Sequence, residues 1–256
     1  MDSLQTLVAD AMLPGHDFAL ALAAVLFATT LKAFAGFGFG LAVVPLLSLI
    51  LHPAEAVPMS LMLDLIGSSQ LVPSARKQVD WRSLRLLVPG ALIAIPFGVY
   101  LLAALPADGL RLGIALVLMA TVALMASGAR LPGRVPRPAV LGVGGLAGLL
   151  SGATAMPGPP VMIYFLARPN PAAVNRASLL VFFVFTDIAS IATGLVSGVV
   201  MAKTVTLAVL LSPALVLGNL IGHRLFGLAH ERHYRSAVLG LLSVIALVTL
   251  FEALHG

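Results

Sequence analysis

Runs of apolar residues with few charges, each closed by a short polar loop, recur along the whole chain. They fall near residues 17–35, 40–51, 54–72, 84–104 and 110–128, then near 138–152, 157–167, 174–200, 204–222 and 235–253. A membrane-spanning helix needs roughly 20 apolar residues, and most of the runs approach that length. The pattern predicts an all-α integral membrane protein of ten membrane segments, five in each half. Two runs, 40–51 and 157–167, are too short to cross comfortably. Each begins at a helix-breaking stretch: Gly36-Phe37-Gly38-Phe39-Gly40 for one, Met156-Pro157-Gly158-Pro159-Pro160 for the other. Both short segments stand second in their half.

Residues 129–138 (ARLPGRVPRP) contain three Arg and three Pro, which can neither span a membrane nor continue a helix. This stretch reads as a cytoplasmic linker between a first repeat, 1–128, and a second, 139–256. At an offset of 118, His52-Pro53-Ala54 faces Asn170-Pro171-Ala172, Ser60-Leu61 faces Ser178-Leu179, and Gly40 faces Gly158. At an offset of 124, Pro89, Gly98 and Arg111 match Pro213, Gly222 and Arg235. An internal duplication follows. Because five segments is an odd number, the second repeat enters the membrane from the opposite face, and loop charge tests this. With both termini outside, Arg76, Lys77, Arg82, Arg85, Arg130, Arg134, Arg137, Arg168, Arg176, Arg224, Arg232 and Arg235 all fall inside. Only Arg111 and Lys203 fall outside, while Lys32 lies within a span. The expectation is therefore two inverted repeats, with both termini on the outer face.

Composition agrees and narrows the chemistry. Of 256 residues, 60% are hydrophobic and 10% charged, and the mean hydropathy of +1.07 excludes a soluble domain. The 24 Gly and 17 Pro are tolerated in membrane helices, whose neighbours satisfy freed backbone groups. There is no Cys, hence no disulfide or thiolate site, and no cofactor or metal is expected. The net charge of +5 sits in short loops between apolar runs, which fits lipid orientation better than nucleic acid. Asp2 and Asp10 replace the positive leader of a secretory signal, so the N-terminus is expected to be retained.

A short, broken segment at the same place in two inverted repeats is the best sequence pointer to a midplane transport site. An unwound backbone survives in hydrocarbon only where protein or a water-filled cavity satisfies it, so both breaks face inward. The helix N-termini after them, near Gly40 and Gly158, offer free N–H groups and partial positive charge to a small anion. Candidate substrate-binding residues are Gly36, Phe37, Gly38 and Gly40 at the first break and Ser151, Thr154, Met156 and Gly158 at the second. Gly144, Gly148 and Gly152 recur at the spacing of a close helix contact and read first as packing. Lys32, one turn before Gly36, either neutralises the anion or snorkels to the surface. Asp64 and Asp187 lie deep in apolar runs and are candidate carriers of a coupling proton; one of them is also a candidate structural partner for Lys32.

The glycine-rich break with its apolar run over Gly36–Leu47, His52-Pro53 leading to Ser60-Leu61, and the matching Asn170-Pro171 to Ser178-Leu179 resemble the TauE/SafE sulfite-exporter family, also described as sulfonate-uptake permeases. The resemblance covers nearly the whole chain. It implies a bacterial inner-membrane carrier of small sulfur-containing anions, sulfur oxyanions or organosulfonates, driven by protons. Two departures bear on the pocket: the second break reads AMPGPP rather than glycine-rich, and Phe37 and Phe39 stand between the glycines of the first. Two competing readings remain. A drug/metabolite-type carrier has ten continuous spans, which the short segments oppose, and an anion channel is not distinguished from a carrier by sequence. An intramembrane enzyme is not expected: neither HExxH nor GxSxG occurs, and His230-Glu231-Arg232-His233 has the wrong spacing for two ligands on one helix face.

Overall fold

The structure is a computed structural model that describes residues 13–35, 38–127, 135–226, 240 and 243–251. Among the described residues there are helices and loops and no strand. The first five principal helices are α1 (Gly15–Ala35), α2 (Phe39–Ser48), α3 (Pro53–Ser69), α4 (Trp81–Ala104) and α5 (Ala107–Ser127). Then follow α6 (Arg137–Thr154), α7 (Gly158–Leu166), α8 (Ala172–Val196) and α9 (Ala202–Phe226), and residues 243–251 form α10. The expected runs therefore match helices to within a few residues at their ends, except that the last run begins outside the described residues. The short runs are indeed short helices, of 10 and 9 residues.

Local chemistry sets the boundaries. His52 caps α3, its Nδ1 accepting from the Ala54 N–H at 3.2 Å, with Pro53 in the first turn, where a missing N–H costs nothing. Asp80 caps α4 by accepting from the Ser83 N–H at 3.2 Å and the Ser83 hydroxyl at 2.6 Å. Pro159 and Pro160 likewise fall in the first turn of α7. Among the described residues, five stretches are long and apolar enough to cross a membrane: Gly15–Lys32, Trp81–Ala104, Ala107–Ser127, Ala172–Val196 and Ala202–Gly222. Ile93, Phe97 and Tyr100 stand outward on α4, with Leu217, Leu220 and Ile221 outward on α9. Apolar surface on this scale suits lipid and not water.

Packing follows an exchange pattern. α4 lies along α6, and α1 lies along α9; α3 and α8 meet at the centre, α8 also touching α4 and α3 also touching α9. The first helix of each series of five thus packs on the fourth of the other. The α4–α6 contact is backbone on backbone: a Cβ added to Gly144, Gly148 or Gly152 would run into Leu87, Ala91 or Ile95, and one on Gly90 or Gly98 into Leu141 or Leu149. Small residues permit this approach, which replaces the missing hydrophobic drive between helices in lipid. Gly90 and Gly98 complete an interface of which the sequence displayed only one side.

Polar contacts tie the two ends. At one end, the Asp80 N–H donates to Ser178 Oγ at 2.8 Å, and its carboxylate accepts from Arg168 at 3.4 Å and Asn170 at 3.3 Å. At the other, Lys203 donates to Glu55 at 3.0 Å, and Arg111 donates to the Ser48 carbonyl at 3.2 Å. Partial burial of Asp80 works to raise its pKa, but hydrogen bonds from Ser83 and Asn170 and the Arg168 charge outweigh it and hold the group below its ordinary 3.8.

Two outcomes follow for the purified protein. Gly148→Leu is expected to cost about 1–3 kcal/mol or more by overpacking the α4–α6 seam, whereas Gly142→Leu, with open space beside it, leaves the thermal midpoint near wild type. Because the folded pKa of Asp80 is depressed, its contribution is complete above pH 3.8 and is lost as the pH falls through the folded value. The midpoint gap between wild type and Asp80→Asn should therefore narrow as the pH falls below 3.8.

Candidate functional site

The two chain breaks meet. Gly38 adopts a left-handed conformation, φ 93, that turns the chain into α2 and that side chains rarely tolerate. Two residues on, a Cβ at Gly40 would overlap the Ala155 carbonyl, so the two breaks touch through their backbones. Ala155 is itself left-handed, φ 53, closing α6 without a glycine. Between the breaks lies a cavity of about 20 Å³, room for roughly one water molecule, lined on one side by Gly38, Phe39 and Gly40 and on the other by Met156, Pro157 and Gly158. Lys32 from α1, Asp64 from α3 and Phe183 from α8 complete the wall.

Lys32 does not reach the surface. Only 7% exposed, it donates to Asp64 Oδ1 at 2.5 Å and to Ser68 Oγ at 2.6 Å, and its ammonium lies 5.8 Å from the centroid of the Phe39 ring. Asp187, 2% exposed, lies close enough to Asp64 and Lys32 to feel the charge of both. Its Oδ2 has no hydrogen-bond partner among the described residues. Lys32, Asp64 and Asp187, far apart in sequence, form one ionic cluster against the cavity.

The helix ends offer donors unequally. Phe39, Gly40 and Leu41 occupy the first turn of α2, where N–H groups lack intrahelical acceptors. Of the first three residues of α7 only Gly158 carries an N–H, because Pro159 and Pro160 have none. Both helix dipoles are available to an anion, but the hydrogen bonds come mainly from the first break.

Of the residues expected from sequence, Lys32, Gly38, Gly40, Asp64, Met156 and Gly158 line the cavity. Gly36 and Phe37 lie outside the described residues. Asp187 stands behind Asp64, not on the cavity wall. Ser151 and Thr154 do not line it: Ser151 bonds Ser190 Oγ at 3.0 Å, and Thr154 donates to its own helix at Leu150 O, 2.8 Å. Phe183, Ala155 and Pro157 are wall residues the sequence did not single out. Phe183 sits one helical turn before Asp187, and that spacing was the available signal.

The family model described as Sulfite exporter TauE/SafE matches residues 21–249. A curated protein of Cupriavidus necator named Probable sulfite/organosulfonate exporter TauE is 28% identical over 204 residues, covering 77% of this chain and 79% of that protein. No solved structure matches.

The strained turn between the breaks is measurable. Replacing Ala155 by Gly removes a Cβ from a left-handed position and is expected to add about 1 kcal/mol of stability; a lower thermal midpoint for Ala155→Gly would show that the alanine is not strained there.

Proposed function

The chain belongs to the sulfite exporter TauE/SafE family, and on that footing we propose that it is a secondary carrier moving a small sulfur-containing anion, a sulfur oxyanion or an organosulfonate, across the bacterial inner membrane. The observation that carries this reading is the cavity where two helix N-termini meet beside Lys32. Free N–H groups, converging dipoles and a buried cation are the elements that bind an oxyanion without bulk water. The name of the Cupriavidus protein supports sulfur as the central atom, and the Phe39 and Phe183 rings suit a ligand with an apolar part.

Lys32 is neutralised while Asp64 is ionised. A proton taken up by the Asp64–Asp187 pair releases that charge to an anion, so proton and anion load together. A carrier that does so runs in whichever direction their combined gradients point. The inverted-repeat reading, with a linker at 129–138, is supported by the exchange pattern of packing. It is supported again by equivalent bonds at the offset of 118: Ser60 to the Ala56 carbonyl at 2.6 Å and Ser178 to the Val174 carbonyl at 2.7 Å. The outward orientation of both termini is supported by the placing of Arg82, Arg137 and Arg168 around one cavity, while Arg111 and Lys203 at the far end each bond an acid.

Uptake of labelled sulfite, thiosulfate and an alkanesulfonate into proteoliposomes, with and without a pH gradient, tests the reading. Saturable flux that follows the gradient is expected, with Asp64→Asn transporting independently of pH. Lys32→Gln should raise KM about tenfold or more, the value of a charge-assisted hydrogen bond. Wild-type flux indifferent to the gradient would remove the proton from the mechanism; no flux of any anion would remove the carrier.

A further inference from the structure

A second cavity lies at the end of the molecule opposite Lys203 and Glu55. It holds about 370 Å³, against about 20 Å³ at the chain breaks, and three arginines line it: Arg82 from the first turn of α4, Arg137 from the first turn of α6, and Arg168 just beyond α7. Ser83 and Tyr164 form part of its wall. They are buried and bonded to each other, hydroxyl to hydroxyl, at 2.9 Å. Among the described residues, the one carboxylate paired with these arginines is Asp80, 3.4 Å from Arg168. Arg168 also stacks over Tyr164, its guanidinium 5.4 Å from the ring centroid. Arg82 and Arg137 pair with no carboxylate among the described residues.

Arg82 and Arg137 are exposed and Arg168 partly so, yet all three border one space. Here three positive charges from separate helices, offset by one carboxylate, surround a space roomy enough for a small molecule, into which α4 and α6 also direct their positive ends. Guanidinium groups recognise oxyanions by paired hydrogen bonds. One helix lines both cavities: α7 begins at Gly158 in the wall of the first and reaches Tyr164 in the wall of the second. Six residues separate them, roughly 9 Å along a helix.

We propose that this arginine-lined cavity is a second anion site, a cytoplasmic vestibule in which Arg82, Arg137 and Arg168 hold a sulfonate or sulfur oxyanion before it passes along α7 to the site at the chain breaks. The proposal rests on the carrier reading for its role but not for its existence as an anion site. The phosphate of an anionic lipid has the same chemistry, and the test separates the two sources.

Trp81, the chain's only tryptophan, directly precedes Arg82 and is partly exposed, so its fluorescence reports on the vestibule whether or not transport occurs. Protein in neutral maltoside detergent is titrated with sulfite and, separately, with ethanesulfonate. A saturable response is expected, weakened at least about tenfold in Arg82→Gln/Arg137→Gln, as for loss of a charged hydrogen bond. It should be retained in Arg82→Lys/Arg137→Lys, which keeps the charge and controls for folding, and in Asp64→Asn, which alters only the first cavity. In proteoliposomes of phosphatidylcholine alone, the glutamine pair should raise KM while leaving kcat within about twofold, and flatten the dependence of KM on salt. An unchanged Trp81 titration in the glutamine pair overturns the site. A wild-type response abolished by adding phosphatidylglycerol, with a KM effect seen only in vesicles containing it, assigns the cavity to lipid and overturns the vestibule. A normal Trp81 titration without flux of any anion keeps the anion site and discards the carrier instead.

Discussion

An unpaired backbone amide in hydrocarbon costs several kcal/mol, and the arrangement of this protein follows from that constraint. Two chain breaks interrupt helices within an apolar fold, and each leaves N–H groups without helical acceptors. Facing lipid, either break would be untenable. They face one another instead, with Gly40 set so closely against the Ala155 carbonyl that no side chain fits between. Short helices α2 and α7 start there, so both direct positive ends to one point. The long helices then act as a frame: α4 on α6 and α1 on α9 hold the breaks together from both sides.

The same constraint explains the ionic cluster. A lone Lys32 in a membrane span is expensive, and a pair with Asp64 only partly repays the desolvation of two ions. Ser68 satisfies another of its donors and Phe39 offers a ring face, yet hydrophobic residues of similar volume would hold the fold as well. Asp187 is harder still to explain as structure, being almost fully buried with an oxygen that no described group satisfies. A second carboxyl beside a pair that already balances has no packing role. It does have a chemical one in the proposed cycle, where a proton shared between Asp64 and Asp187 decides whether Lys32 is available to an anion.

Much of this was legible in the sequence because hydrophobic length and charge are local signals. The runs of apolar residues marked the helices, the Gly- and Pro-rich stretches marked the breaks, and isolated ionisable residues in apolar surroundings marked Lys32, Asp64 and Asp187. What remained hidden depends on which helix faces which. Gly90 and Gly98 matter only because α6 lies against them. Ser151 and Thr154 were plausible hydroxyl donors by position, but a hydroxyl in a membrane helix is readily satisfied by its own backbone or a neighbour, as Leu150 and Ser190 do here. Ala155 gave no sign of a left-handed turn, since alanine ordinarily favours a helix. The loop arginines were read as lying on one side, but periodicity could not bring Arg82, Arg137 and Arg168 around one space.

The distribution of polar contacts along the molecule bears on how it would move. At the centre, Lys32–Asp64 is buried, and removing one partner leaves an uncompensated charge, a loss of about 3–5 kcal/mol. At the ends, Lys203–Glu55 and Arg168–Asp80 are partly exposed to solvent, and pairs of that kind contribute no more than about 1 kcal/mol. Both end contacts link the start of a fourth helix in one series to the start of a third helix, or the loop before it, in the other. Opening either end therefore breaks little, while the centre resists disruption unless a proton or an anion replaces what is lost. In the proposed carrier this is the required order of strengths: weak closures that exchange, around a core whose charge must be balanced before either is released.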